Sequence, residues 1–211
     1  MEAVFFDLDG LLLDSEKIYV RFWREAAEQL NYHVPYAEIL KLRSCDAGLA
    51  RQVITEATND ADAYQKIRAL RKSLMAAYLE KETIALKDGA IELLDTLQAK
   101  RIKKVIVTSS DPDEKRPMLQ AYGIDQFFDD IISVKNVQRG KPFPDMYVYA
   151  CECLHLEPTK CIALEDSPNG VMSAWGAGIN VIMVPDLSEP DDALRAKCKI
   201  VRSLRDVITM L

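Results

Sequence analysis

The stretch Ala3-Val4-Phe5-Phe6, followed directly by Asp7-Leu8-Asp9-Gly10, decides the fold of this chain. Four apolar residues in a row predict a short buried strand, and the aspartates place negative charge where that strand ends. Open α/β folds bind their ligands at this rim, beyond the carboxyl ends of the strands. Carboxylates gathered there call for a cation, and hard oxygen ligands suit magnesium.

Further apolar runs predict the rest of a sheet. They lie at Lys104 to Thr108, Ile131 to Val134, Cys161 to Leu164 and Val181 to Val184. Segments of helical period and length separate the later runs, and this alternation is typical of βαβ units on a parallel sheet.

The region between the first two predicted strands breaks this rhythm. It contains only amphipathic helical patterns, at residues 15–30, 36–42, 47–57 and 61–81. We therefore predict an α/β fold with an inserted all-helical cap domain. The predicted core comprises residues 1–14 and 84–211, with a Rossmann-like parallel sheet, and the predicted cap comprises residues 15–83.

Composition narrows the class of protein. The chain has 211 residues and a formal net charge of −6 at pH 7, which argues against a nucleic-acid partner because neutralising phosphates needs surplus lysine and arginine. Its five cysteines contain no Cys-x-x-Cys pair and are expected to be buried free thiols. The sequence shows no secretion signal and no apolar stretch of roughly 18 residues. We expect a cytoplasmic protein without a membrane partner, and nothing requires more than a monomer.

Three later segments resemble the first one, because each places polar residues at the end of a predicted strand or in a rigid turn. They are Val105 to Ser110, Gly140 to Asp145 and Ile162 to Gly170. Together with Asp7-x-Asp9-Gly10 they resemble, in order, the four motifs of the haloacid dehalogenase superfamily. The resemblance covers essentially the whole chain. It is closest to the β-phosphoglucomutase and sugar-phosphate phosphatase branch, whose helical cap lies between the first and second motifs.

The two leading aspartates are the candidate catalytic groups. Phosphoryl transfer needs an in-line nucleophile and a proton donor for the leaving oxygen. Asp7, at the strand end, is the candidate nucleophile that forms an aspartyl phosphate, and Asp9 is the candidate general acid and base. The resemblance also implies that both bind the metal, Asp9 through its backbone carbonyl. A plain aspartate-rich turn is the alternative, whereas a calcium loop is excluded because Leu11 and Ile18 occupy two of its ligand positions.

The other motifs supply the remaining candidates. Glu165 and Asp166 are expected to bind magnesium, although an acid here also suits a helix N-terminus. Ser109, through its hydroxyl, and Ser110, through its backbone N–H, are expected to bind the substrate phosphate, with a helix cap as the alternative. Lys141 is expected to neutralise the charge of Asp7 and of the transferred phosphoryl group, because the flanking glycine and prolines hold it in a fixed turn. The alternative is a solvated lysine on the surface.

The cap distinguishes the possible functions. Arg43 lies where a substrate loop is expected, and we weigh substrate contact evenly against a surface role. Tyr19 occupies the position of a mutase histidine, and the mutase loop's glycine and second basic residue are absent near Arg43. We therefore predict a magnesium-dependent phosphatase for a sugar or polyol phosphate. The alternatives are a hexose-phosphate isomerase like β-phosphoglucomutase and, less favoured because the aspartate pair opens the chain, a non-enzymatic phospho-acceptor module.

Overall fold

A six-stranded, fully parallel sheet forms the centre of the molecule, as a computed structural model describing residues 1–211 shows. The strands are β1 Ala3–Phe6, β2 Lys103–Thr108, β3 Asp130–Ser133, β4 Cys161–Glu165, β5 Asn180–Met183 and β6 Cys198–Ile200. Their order is β3-β2-β1-β4-β5-β6, so β1 lies between β2 and β4. The carboxyl ends of the three motif-bearing strands therefore meet in the middle of one sheet edge.

Ten helices complete the fold. They are α1 Glu16–Gln29, α2 Tyr36–Lys41, α3 Ala47–Thr58, α4 Ala63–Leu79, α5 Ala90–Ala99, α6 Pro112–Ala121, α7 Asp145–Leu154, α8 Pro168–Gly176, α9 Asp192–Arg195 and α10 Leu204–Ile208. The first four match the helical patterns predicted between the first two strands. The five cysteines are free, but the expectation that all are buried is wrong: Cys153 is exposed because it lies on the outer side of α7.

The strand β1 is buried on both faces. Successive side chains of a strand point to opposite sides, so Val4 and Phe6 enter one apolar cluster while Ala3 and Phe5 enter another. Helices α5 and α10 cover the first face, and α7 and α8 cover the second. Burying each phenylalanine contributes about 1.5–3 kcal/mol, and an apolar run without polar alternation is what such a strand requires.

Helices α1, α3 and α4, together with Leu42 just after α2, share an apolar cluster of their own, which includes Ala26, Ile54, Tyr64 and Ile67. The predicted α/β fold with an all-helical insertion is thus confirmed, while the domain limits at residues 14/15 and 83/84 stay a prediction. No helix combines the length and the apolar character that crossing a membrane requires.

Two chain segments connect the insertion to the core, and they are joined to each other. Leu13 and Leu86 form an isolated antiparallel bridge. Asp14 N donates to the carbonyl oxygen of Ala85 at 2.8 Å, and Lys87 N donates to that of Leu12 at 2.9 Å. The insertion is therefore held directly over the sheet edge at which β1 ends.

Candidate active site

Three acidic side chains converge where β1 and β4 end. Phe6 pairs with Leu164, so Asp7 and Glu165 leave the sheet side by side, and Asp166 follows. One carboxylate oxygen from each of these three residues lies within 4.8 Å of the other two, and all three residues are buried. Gly10 has a φ of 92°, and a Cβ there would collide with the Asp166 carboxylate. The glycine therefore lets the loop after β1 approach the acid cluster.

The acid cluster, meaning Asp7, Glu165 and Asp166, has more negative charge than its protein partners neutralise. Oδ2 of Asp7, Oε2 of Glu165 and both carboxylate oxygens of Asp166 are buried without a hydrogen-bond partner. Burial, together with the neighbouring carboxylates, raises the pKa of Asp7 and of Asp166, and raises the pKa of Glu165 to about 7. Unpartnered oxygens at this spacing fit a hard divalent cation such as Mg²⁺, which these three residues would hold.

Lys141 lies beneath the acid cluster and is completely buried. Its Nζ lies 2.6 Å from Oδ1 of Asp7 and 2.6 Å from Oε1 of Glu165, and it donates to the carbonyl oxygen of Val107 at 2.9 Å. Burial disfavours the charged form, but the two carboxylates outweigh it and raise the pKa of Lys141. Lys141 is therefore a buried counter-charge for Asp7 and not a solvated surface group.

Asp9 faces a different set of partners. Ser15 Oγ donates to its Oδ1 at 2.8 Å, Ser110 Oγ donates to its Oδ2 at 2.6 Å, and Lys115 Nζ forms an ion pair with Oδ1. Burial alone would raise the pKa of Asp9, but Lys115 and the two hydroxyls hold it below its usual value. The Asp9 side chain lies outside the acid cluster, so the predicted metal contact through its backbone carbonyl stays a prediction.

A cavity of about 370 Å³ opens above these residues, between the sheet edge and the helical insertion. Its floor includes Asp7, Asp9, Ser109 and Ser110. Its opposite side is formed by residues of the helical insertion and its loops: Tyr19, Trp23, Leu42, Arg43, Tyr64, Arg68 and Arg71, among others. This volume is in the range of small-molecule sites.

The sequence of this chain was compared with those of known protein families and known proteins. Residues 4–184 match the model of the haloacid dehalogenase-like hydrolase family. The chain belongs to this family. A phosphorylated carbohydrates phosphatase of Thermotoga maritima is 30% identical over 221 residues, covering 100% of this chain and 98% of the relative. Hexitol phosphatase A of Escherichia coli is 31% identical over 199 residues, covering 90% and 89%.

A solved structure extends the comparison to the fold. The β-phosphoglucomutase of Clostridium difficile superposes with a TM-score of 0.81 at 20% identity, covering 98% of this chain and 93% of the mutase. At that identity the likeness concerns the fold alone. The predicted relationship to the branch that contains these mutases and sugar-phosphate phosphatases is confirmed. The prediction that the chain is a haloacid dehalogenase-like phosphomonoester hydrolase is also confirmed.

The two groups of this hydrolase that are predicted to donate hydrogen bonds to the substrate phosphate already have protein partners. Ser109 Oγ donates to the carbonyl oxygen of Ser44 at 3.1 Å, which joins the sheet edge to the loop between α2 and α3. Ser110 N donates to Thr108 Oγ1 at 3.0 Å. Both serines line the cavity, and their binding of phosphate stays a prediction that requires these bonds to be exchanged.

Arg43 is buried and reaches the acid cluster of the hydrolase site. Its Nη1 lies 3.8 Å from Oδ2 of Asp166, and its Nη2 donates to Ser188 Oγ. Asn169 Nδ2 donates to the carbonyl oxygen of Arg43 at 2.8 Å. The surface role that was weighed for Arg43 is therefore wrong, and substrate contact stays a prediction.

Sequence reasoning missed several groups at the hydrolase site. Lys115, one turn into α6, forms the ion pair with Asp9, and Tyr147 on α7 donates to Oε1 of Glu165. Glu16, the first residue of α1, is buried, and its pKa is raised to about 8 by burial and by Asp9. All three lie on helices, where a lone charged or aromatic residue is indistinguishable from ordinary helix sequence. A site lysine could have been suspected only from its place just after the second motif.

Proposed function

We propose that this hydrolase is a magnesium-dependent phosphatase that acts on a small phosphorylated metabolite, a sugar or polyol phosphate, through an aspartyl-phosphate intermediate. The observation that carries the proposal is the pairing of Asp7, a member of the acid cluster on the floor of the cavity, with the buried Lys141. The names of the two relatives, a carbohydrate phosphatase and a hexitol phosphatase, support the substrate class.

Asp7 has the geometry of a nucleophile. Lys141 holds Oδ1 and so fixes the carboxylate, whose two oxygens can divide the roles of attacking phosphorus and facing the cation. Attack forms the bond from a carboxylate oxygen of Asp7 to phosphorus and breaks the bond from phosphorus to the substrate oxygen. Magnesium, when bound, supplies positive charge that offsets the charge of the phosphoryl oxygens.

Asp9 is the proton-transfer group in this proposal. In the first step its protonated form gives a proton to the departing alkoxide, and in the second its carboxylate takes a proton from the water that attacks the aspartyl phosphate. General acid–base help of this kind is worth about 10² to 10⁴ in rate. Lys115 favours the ionised carboxylate, so the hydrolysis step is the one for which Asp9 is already prepared.

The arrangement of the cap favours hydrolysis over mutase chemistry. A mutase must return the phosphoryl group to a bound sugar phosphate and must keep water away from the intermediate. Tyr19 occupies the position at which a mutase is expected to have a histidine. Its hydroxyl accepts a hydrogen bond from Lys115 Nζ at 2.8 Å. The side chain of Arg43, the basic residue of the cap loop, is engaged with Asp166 and Ser188.

A phosphate-release assay tests the proposal. The purified protein with Mg²⁺ is offered sugar, polyol and nucleotide monophosphates and p-nitrophenyl phosphate, and inorganic phosphate is measured. We expect many turnovers on sugar or polyol phosphates and loss of turnover with EDTA, without unfolding by circular dichroism. An isomerised hexose phosphate without phosphate release would establish the mutase alternative. Only one phosphate bound per chain would establish the phospho-acceptor alternative. Full turnover with EDTA would contradict the metal requirement.

A further inference from the structure

The helical wall of the cavity holds positive charge that the proposed phosphate chemistry does not use. Arg68 and Arg71 lie three residues apart on α4, so they share one face of that helix, and both line the cavity. Neither guanidinium has an ion-pair partner, whereas Arg43 on the same cavity lies 3.8 Å from a carboxylate oxygen of Asp166. These two arginines are called the arginine wall below.

Aromatic side chains fix the position of Arg71. Its guanidinium carbon lies 5.1 Å from the ring centroid of Tyr19 and 5.1 Å from that of Trp23. Trp23 is in turn stacked on Tyr64, with ring centroids 6.0 Å apart. A guanidinium that is stacked through its face keeps its N–H edge free for in-plane hydrogen bonds, and it loses little conformational entropy when an anion binds.

One atom of this edge is already desolvated. Nε of Arg71 is buried and has no hydrogen-bond partner. A buried donor without an acceptor costs about 1–3 kcal/mol, and a donor on a charged group costs more. An anionic oxygen in the cavity would recover that cost, and a carboxylate or phosphate matches the guanidinium edge with two parallel hydrogen bonds.

Tyr19 sets the place of this edge relative to the reacting centre. The Tyr19 hydroxyl is hydrogen-bonded to Lys115, which forms the ion pair with Asp9, and the Tyr19 ring contacts Arg71. One tyrosine side chain thus separates Asp9 from Arg71. A small molecule whose phosphate lies over Asp7 therefore needs only a short carbon chain for its far end to reach Arg71.

We infer that the preferred substrate of this hydrolase carries a second anionic oxygen group, a carboxylate or another phosphate, at the end of a short polyol chain, and that Arg71 binds this group with support from Arg68. The inference rests on the proposed phosphatase function and narrows its substrate class. A neutral polyol phosphate would leave the Arg71 edge with weaker, uncharged acceptors, and would therefore bind less well.

Substrates matched in length test this inference. Phosphate release is measured with Mg²⁺ for a hexitol 6-phosphate, the aldonic acid 6-phosphate of the same length, and the hexitol 1,6-bisphosphate. We expect kcat/KM of the wild-type enzyme to be at least about tenfold higher for one or both anionic-ended substrates than for the neutral-ended one, mainly through KM. The two anionic arms distinguish a carboxylate from a phosphate. A neutral-ended substrate that is used equally well or better would overturn the inference.

Variants show whether Arg71 is responsible. Arg71→Met keeps the length of the side chain and removes its charge, and we expect the ratio of kcat/KM between anionic and neutral substrates to fall about tenfold. Arg71→Lys keeps the charge and should retain most of that ratio. Arg51→Met, at an exposed position of α3 outside the cavity, is the matched control and should match wild type.

The outcomes separate this inference from the proposed function. An unchanged ratio in Arg71→Met, or an equal loss in Arg71→Lys, would overturn the role of Arg71. If Arg71→Met fails to fold by circular dichroism, Arg68→Met must lower the ratio, and a ratio equal to wild type overturns the inference. Absence of phosphate release from every substrate, including p-nitrophenyl phosphate, would instead refute the phosphatase function itself.

Discussion

The sheet edge and the arginine wall line the same cavity, but they differ in whether their cationic side chains are paired with carboxylates. At the sheet edge Lys141 is shared by two carboxylates, and Lys115 is paired with Asp9. On the helical wall Arg71 is held by aromatic rings and has no carboxylate partner. We propose that the two regions have different roles: the sheet edge performs the reaction common to all substrates, and the arginine wall selects among them. Changes at the sheet edge should then affect every substrate alike.

The largest effect is expected from Asp7→Asn. Removing the nucleophilic oxygen should lower kcat by at least about 10⁴ on every phosphomonoester, because no covalent intermediate forms. Phosphate release across the substrate panel measures the loss, and circular dichroism checks the fold. The control is Asp88→Asn, which breaks an exposed ion pair with Arg205 and should leave activity unchanged. Activity near wild type, or a loss confined to some substrates, would break the comparison.

Asp9→Asn should have the next largest effect, a fall of about 10² to 10⁴ in rate. Both formation and hydrolysis of the aspartyl phosphate should slow, because the amide neither donates nor accepts the required proton. Single-turnover measurements with a labelled phosphate resolve the two steps. A rise in KM with kcat unchanged would show that Asp9 serves binding and not proton transfer.

Lys141→Met tests the charge balance of the sheet edge through stability. Asp7 and Glu165 lose their shared counter-charge, so the free energy of unfolding should fall by about 3 kcal/mol. Urea denaturation in the absence of Mg²⁺ measures it. Lys135→Met, which removes exposed ion pairs with Asp111 and Asp113, is the control and should cost less than about 1 kcal/mol. Equal losses in both variants would show that Lys141 is not a structural counter-charge.

The smallest effect is a pH dependence of stability without metal. The pKa of Glu165 rises to about 7 and that of Glu16 to about 8, from 4.5 for the ordinary side chain. A carboxyl group with a raised pKa in the folded state contributes stability that is present below pH 4.5 and is lost as pH rises through the folded pKa. The free energy of unfolding should fall by more than about 1 kcal/mol between pH 5 and pH 8.

Two additions sharpen this pH experiment. Mg²⁺ should flatten the profile, because it favours the ionised carboxylates of the acid cluster. Glu165→Gln should also flatten it, because the amide does not titrate. A profile that is flat in wild type without metal would contradict the raised pKa values.

The same contrast explains what the sequence could predict. Asp7 and Asp166 directly follow strands, and Glu165 is the last residue of β4. Neighbouring parallel strands end at one edge, so topology alone brings the three acids together. The rotation of a helix about its axis and its distance from the sheet depend on packing, so Lys115 and Glu16 could not be placed beforehand. The strand β6 was missed because it is short and only partly buried, with exposed Lys199 between its two apolar residues.

The phosphate loop shows an intermediate case. Ser109 and Ser110 follow β2 and line the cavity, while their predicted contact with phosphate stays a prediction. Their hydrogen-bond partners, however, include Ser44 in the insertion and Asp9 in the loop after β1. Such long-range side-chain contacts leave no trace in the local sequence pattern.

The central position of β1 has a consequence for synthesis on the ribosome. This strand ends at Phe6, whereas its neighbour β4 begins at Cys161. At translation rates of about 5–20 residues per second, the nascent chain waits roughly 10 to 30 s for the second partner. During that time an apolar strand has an open edge, which is the kind of surface that chaperones shield from aggregation.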